Sequence, residues 1–143
     1  MENTTIENIE NEIVEEFSFF DNWEDKYEYI IDFGKGLKPM DTAFKTDGNK
    51  VSGCVSQVWL HTEIKDGRIF FDADSDAIIT KGLVGLLVKV LSNQKPEDVA
   101  NAKLEFIDKI GMKEHLSPTR SNGLVNMIKF MKRSAENNIN KNT

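Results

Sequence analysis

The chain contains one cysteine, Cys54, within the stretch VSGCVSQVWL at residues 51 to 60. It follows Ser52 and Gly53 and precedes an alternating apolar pattern, so it lies where a polar loop becomes a predicted strand. A free cysteine is often a small core residue. A thiol at a loop tip, in contrast, is well placed for nucleophilic or sulfur chemistry. The residue types alone leave both interpretations open.

A cation could activate such a thiol. The reactive species is the thiolate, and an electropositive neighbour or a helix N-terminus lowers the pKa of a cysteine. If Ser117 caps the last long helix, Arg120 lies in the first turn of that helix, where a cation opposes the helix dipole. Arginine at a helix N-terminus makes an anion site, and the alternative is a surface ion pair with an acidic residue.

Three carboxylates, those of Asp72, Asp74 and Asp76, lie in the stretch DADSDAIITKG, at a predicted strand-to-helix junction. A calcium loop of the EF-hand type would continue to a distal glutamate, which this stretch lacks. Helix capping accounts for Asp74 and Asp76.

The two histidines, His61 and His115, could act with Cys54 as zinc ligands or in a cysteine hydrolase. Their spacing is unlike that of zinc motifs, so no metal site is predicted. A hydrolase needs a histidine beside the thiol. On a regular strand, His61 would face away from Cys54 because their separation is odd, which leaves His115 as the candidate.

Length and composition indicate a single domain over residues 1–143, with polar tails at about 1–4 and 135–143. The net charge of -6 argues against binding to nucleic acid or to an anionic membrane. The N-terminus lacks the pattern of a signal peptide, and the apolar run LVGLLVKVL is too short to span a bilayer. We therefore expect a cytoplasmic protein.

The hydrophobic pattern begins with two helices. The first is predicted over about residues 4 to 18, and the second begins at a capping box formed by Asp21 and Glu24 and ends near Gly34. Residues 35 to 54 show no sustained period, which predicts a long loop that leads to the cysteine.

The remaining pattern predicts a hairpin followed by helices. A strand from Ser56 turns at Asp66-Gly67 and returns as RIFFDA. A helix from about Asp76 to Ser92 is apolar nearly all round and should be central, with glycines that permit close approach. Two short helices follow, and then a long helix that begins near Ser117-Pro118 or at Ser121, which indicates an α+β domain with one antiparallel sheet.

Three motifs in this order and spacing together resemble the SufE family, which includes the CsdE proteins. They are NKVSGCVSQVWL at 49–60, DSDAIITKGLVGLL at 74–87 and HLSPTRSNGLVNMI at 115–128, and the match runs from about residue 17 to residue 132. The resemblance implies a sulfur acceptor and activator for a PLP-dependent cysteine desulfurase of the SufS or CsdA type. Such a protein is an accessory factor rather than an enzyme, and delivers persulfide sulfur to an iron–sulfur scaffold of the SufBCD type.

The resemblance also implies that this chain needs no cofactor, because PLP belongs to the desulfurase, and we expect a monomer or a weak homodimer. The alternative is an adaptor that stimulates the desulfurase allosterically, without covalent sulfur transfer. The implied fold is a curved antiparallel sheet flanked by helices, similar to the IscU scaffold.

Three residues of this sequence match site residues in the motifs of the family. Cys54 matches the persulfide acceptor, Arg120 matches an arginine near it, and Asp76 matches an aspartate at the base of the cysteine loop. Val55 departs from the glutamine that is common at its position. Because cellular thiols reduce persulfides, the thiol should be sheltered, which raises its pKa, and docking should move residues of about 50 to 56 outward.

Overall fold

The structure, a computed structural model, describes residues 5–141, in which helices pack with one β-hairpin. The helices are α1 (Ile6–Phe17), α2 (Trp23–Lys35), α3 (Ile78–Leu91), α4 (Pro96–Ala100), α5 (Phe106–Lys109), α6 (Met112–His115) and α7 (Pro118–Lys141). The strands are β1 (Val58–Lys65) and β2 (Arg68–Ser75), and two short 3-10 turns, Thr42–Phe44 and Asp47–Asn49, lie in the loop before β1. The predicted α+β class is confirmed.

The two N-terminal helices form as the apolar spacing predicts. Ile9, Ile13 and Phe17 of α1 are buried at helical spacing. The predicted capping box of α2 is wrong by one residue. The cap is Asn22, whose side-chain oxygen accepts the backbone N–H of Asp25 at 2.9 Å.

The hairpin turns at Asp66 and Gly67, both of which have positive φ angles, 54° and 77°. Two such residues make the two-residue turn that matches the twist of the strands, and this turn fixes the register. The inward residues of both strands are buried: Val58, Leu60, Ile69, Phe71 and Ala73. Isolated bridges, Lys50 with Trp59 and Ile69 with Gln94, extend the pairing at each edge.

Helix α3 is the central helix, as predicted, and packs against α2 and β2. Two glycines allow the close approach to α2. A Cβ at Gly85 would lie 2.6 Å from the carbonyl oxygen of Phe33, and one at Gly82 would clash with the carbonyl of Ile30. The predicted start of this helix at Asp76 is wrong, because Ala77 is still extended and the helix begins at Ile78.

Helix α7 begins at Pro118, as predicted, with Ser117 in the capping position. Its buried stripe is Leu124, Met127, Met131 and Ala135. The predicted polar tail from about residue 135 is wrong at its start, because Ala135 is buried and the helix continues to Lys141. The predicted tail at residues 1–4 lies outside the described residues.

Candidate functional site

Cys54 lies at the tip of a closed loop, residues 52–57, which we call the cysteine loop. The loop is closed at its base because the backbone N–H of Val51 donates to the carbonyl of Val58 at 2.8 Å. Gly53 has a φ of 83°, a left-handed conformation that favours glycine. The bend at Gly53 brings the following thiol against helix α7.

Two contacts hold the loop tip on α7. The side-chain amide of Asn126 donates to the carbonyl oxygen of Gly53 at 3.1 Å. The thiol of Cys54 donates to the carbonyl oxygen of Gly123 at 3.7 Å, a weak sulfur hydrogen bond. A Cβ at Gly123 would lie 3.5 Å from the sulfur, in ordinary van der Waals contact, so the thiol packs directly on this turn of α7.

Asp76 holds the other end of the loop through Gln57. One carboxylate oxygen accepts the backbone N–H of Gln57 at 3.0 Å, and the other accepts its side-chain amide at 3.2 Å. The carbonyl of Gln57 in turn accepts the hydroxyl of Ser75 at 2.7 Å. Asp76 therefore lies at the base of the cysteine loop, where the sequence motif placed it, and it fixes the loop rather than capping α3.

Arg120 lies in the first turn of α7, as expected. The hydroxyl of Ser117 accepts its backbone N–H at 3.3 Å, which makes Ser117 the N-cap residue. Cys54, Asp76 and Arg120 all line one open groove with a volume of about 740 Å³ between the N-terminal ends of α3 and α7. The fold thus brings together the three residues carried over from the family motifs.

Two strongly exposed apolar side chains lie among the residues that line this groove. Val55 is 83% exposed and Ile78 is 69% exposed, and both line the groove beside Cys54. Large apolar side chains with this exposure near a reactive group are typical of a surface that contacts another protein. Val55 adds to the exposed apolar area beside Cys54.

Burial raises the pKa of the Cys54 thiol above its usual value. The thiol packs against the hydrophobic core and is partly exposed. This direction is opposite to the lowering that a neighbouring cation would produce, and its cause is burial. This geometry agrees with the expectation that the resting thiol is sheltered and weakly nucleophilic.

Asp74 is part of an ion-pair cluster and does not cap α3. Its carboxylate contacts the ammonium groups of Lys45 at 2.6 Å and Lys81 at 3.4 Å. Burial raises its pKa, but the hydrogen bonds from Lys45 and from the N–H of Ser75, together with the two lysine charges, outweigh burial and lower the pKa. This cluster ties the loop before β1 to β2.

Neither histidine is among the described residues that line the groove. The ring of His61 stacks on Phe44 with a centroid distance of 3.7 Å, and that of His115 stacks on Trp23 at 4.0 Å. A cysteine hydrolase and a zinc site built on Cys54 and the two histidines therefore lack support from this geometry.

Asn126 and Gly123 were not predicted as neighbours of Cys54. Both belong to the quoted motif at 115–128 and lie three residues apart, on one face of α7. A polar asparagine within the apolar run LVNMI was the available signal, but only the packing of α7 shows that it meets the loop.

The comparisons with known proteins agree with the motifs. A sequence profile described as "SufE: Fe-S metabolism associated domain" matches residues 11–135. The chain belongs to the SufE family. This confirms the resemblance and associates the chain with Fe–S metabolism.

Several relatives carry the SufE-like name. An uncharacterized SufE-like protein of Rhizobium meliloti is 40% identical over 131 residues, which cover 88% of this chain and 94% of the relative. SufE-like protein 1, chloroplastic/mitochondrial, of Arabidopsis thaliana is 43% identical over 125 residues, which cover 87% of this chain and 34% of the plant protein. An uncharacterized SufE-like protein of Synechocystis is 37% identical over 135 residues, 94% of this chain and 85% of the relative.

The fold is also found in a solved structure. The solution structure of a hypothetical protein from Thermus thermophilus matches with a TM-score of 0.78 and 18% identity, and covers 92% of this chain and 96% of that one. At this identity the match establishes the fold alone. Within residues 5–141, no helix combines the length and the apolarity needed to cross a membrane.

Proposed function

We propose that this SufE-family protein accepts sulfur as a persulfide on Cys54 from a PLP-dependent cysteine desulfurase, stimulates that enzyme, and passes the sulfur to an iron–sulfur cluster scaffold. The observation that carries the proposal is the position of the lone thiol, at the tip of a loop in an open groove shared with Arg120 and bordered by exposed apolar residues. Family membership supports the link to Fe–S metabolism.

The proposed transfer is a thiol exchange. The thiolate of Cys54 attacks the terminal sulfur of a persulfide on the desulfurase, and a new S–S bond forms to Cys54 while the S–S bond of the donor breaks. The electron pair of the broken bond stays on the donor cysteine, which leaves as a thiolate and takes a proton. The step needs no external oxidant, because the transferred sulfur keeps its oxidation state.

The resting thiol is protected at the expense of its reactivity. Burial raises its pKa and so reduces the thiolate fraction, which slows attack on the donor. The same burial restricts the access of small thiols to a sulfur bound there. We expect docking to move the cysteine loop away from α7, because the two contacts that hold its tip are one neutral hydrogen bond from Asn126 and one weak thiol contact. Hydrogen exchange of residues 52–57 should then increase when the desulfurase is added, and unchanged exchange would contradict the movement.

The groove offers a role for Arg120 in this step. A guanidinium stays charged and can pair with an anion through several N–H donors, so Arg120 can stabilise the thiolate or persulfide once the loop has moved. The exposed side chains of Val55 and Ile78 supply apolar contact area for the desulfurase.

The deciding experiment is intact-mass measurement after incubation with a SufS- or CsdA-type desulfurase and cysteine. We expect a gain of one sulfur atom that dithiothreitol reverses and that Cys54→Ser abolishes. Arg120→Ala should slow the gain, and Arg120→Lys should restore it in part.

Desulfurase turnover measured with Cys54→Ser separates the proposal from the alternative. A carrier needs the thiol, so the variant should bind the desulfurase and fail to stimulate it. An allosteric adaptor without covalent transfer would still stimulate, and that result would contradict sulfur transfer through Cys54.

Location, oligomeric state and partners also belong to the proposed function. We place it in the cytoplasm as a monomer or weak homodimer and as an accessory protein whose partner carries the PLP. We assign the scaffold as a SufBCD-type complex. Transfer of labelled sulfur from Cys54 to the scaffold, with Cys54→Ser as the control, would test this last step.

A further inference from the structure

The outer face of the hairpin carries three metal-ligating side chains that the proposed function does not use: His61, Glu63 and Asp72, which we call the hairpin triad. His61 and Glu63 are two residues apart on β1, so both side chains point to the same face. Asp72 lies directly opposite His61 in the β1–β2 register. One ligand atom from each of the three lies within 4.8 Å of the other two.

The positions of these side chains are partly fixed before any ion binds. The His61 ring lies flat on Phe44, with an interplanar angle of 7°. Its Nε2 is 3.3 Å from a carboxylate oxygen of Glu63. The side chains of His61 and Asp72 are each 20% exposed, and that of Glu63 is 55% exposed. The triad is therefore reachable from solvent, and two of its members rest in a partly buried position.

We propose that the hairpin triad binds a divalent transition-metal ion of the zinc type. Ligand atoms about 2.0 to 2.2 Å from a tetrahedral zinc ion lie roughly 3.4 Å from one another, and the 3.3 Å separation of His61 and Glu63 already meets this spacing. A ligand oxygen of Asp72 lies within 4.8 Å of both and must move closer to reach the spacing of a bound ion. Water completes the coordination.

The ligand set selects the class of ion. Imidazole suits zinc, copper and nickel, whereas calcium requires six or more oxygen ligands and magnesium keeps an octahedral oxygen shell. Two carboxylates neutralise a doubly charged ion. Lys38, Lys65 and Arg68 line the same groove as Glu63 and Asp72. Of these, Lys38 forms an ion pair with Asp72 at 3.6 Å, but its side chain is 80% exposed, and an exposed ion pair of this kind is weak.

The proposal does not depend on sulfur transfer. The triad lies on the hairpin, outside the groove that Cys54 lines, so the site can be present whether or not the thiol carries sulfur. A free thiol also binds zinc, and the measurement must therefore begin with a chain in which Cys54 is serine.

The experiment is a zinc titration of the untagged full chain carrying Cys54→Ser, followed by competition with a chromogenic chelator. We expect one zinc ion per chain and a dissociation constant on the order of micromolar, weaker than in closed four-ligand sites. Adding His61→Ala should weaken binding at least tenfold. Glu63→Gln, which keeps the shape of an exposed side chain, should also weaken it.

The matched control is His115→Ala, which removes the other histidine and also its stacking on an aromatic ring. Zinc affinity should be unchanged in this variant. The copper-loaded chain should show one coordinating nitrogen by electron paramagnetic resonance. No saturable binding below millimolar zinc would overturn the proposal, and so would binding that survives both His61→Ala and Glu63→Gln in chains whose circular dichroism is native.

Discussion

The hydrogen bond from Asn126 to Gly53 is the contact whose removal most directly tests how the thiol is sheltered. It joins α7 to the tip of the cysteine loop at 3.1 Å, one residue before the thiol. A neutral hydrogen bond of this kind contributes about 0.5 to 1.5 kcal/mol. Asn126→Ala should therefore favour the released loop by about 1 kcal/mol, which is roughly a fivefold change in population.

The assay is the rate at which iodoacetamide alkylates Cys54 in the isolated protein, followed by mass at a fixed pH. If the thiol reacts mainly from the released loop, the rate follows the population of that state, so Asn126→Ala should react roughly fivefold faster. The matched control is Asn137→Ala, an exposed asparagine on the same helix. It carries the same gain in helix propensity and has no role at the loop.

Alkylation of Asn126→Ala and Asn137→Ala at the same rate as the unmodified sequence would contradict this prediction. That result would mean that the thiol reacts directly from the packed conformation. A faster rate in both variants would assign the effect to helix α7 as a whole, which would equally contradict a loop-specific contact.

Three further substitutions test the packing of α3, the ion pairs of Asp74 and the apolar surface beside Cys54. Gly85→Ala places a methyl group 2.6 Å from the Phe33 carbonyl oxygen and should lower the free energy of unfolding in urea by about 1 to 3 kcal/mol. The control is Gly48→Ala, whose methyl group meets no atom closer than 3.9 Å and should change that free energy by less than about 0.5 kcal/mol. Asp74→Asn removes a carboxylate with a lowered pKa and should cost about 1.5 to 3 kcal/mol at neutral pH. Because a lowered carboxyl pKa stabilises the fold above its unfolded pKa, the difference should persist down to about pH 5 and shrink toward about pH 3. A constant difference would contradict the ion-pair assignment. Val55→Ser should weaken desulfurase binding about tenfold, which corresponds to the free energy of burying one valine side chain. The unfolding midpoint should not change. Unaltered binding would place the docking surface elsewhere.

The local elements could be predicted because short-range rules decide them. The Asp66-Gly67 turn, the alternation of Val58 and Leu60, and the apolar surface of α3 each follow from the residues themselves. The wrong predictions concern side chains that bond or pack with residues distant in the sequence instead of with local neighbours. Asp76 bonds Gln57 across the loop instead of capping α3, and Ala135 continues α7 because the core covers it.

The residues alone identified the candidate thiol, since the chain has a single cysteine and it lies within family-specific motifs. The same motifs named residues that lie with it in the groove. The burial and the raised pKa of that thiol could be determined only from the tertiary structure. Its raised pKa depends on burial against a helix that begins more than sixty residues later, and burial is a property of packing rather than of neighbours in sequence. The same holds for the hairpin triad, whose members on two strands become neighbours only through the register of the sheet.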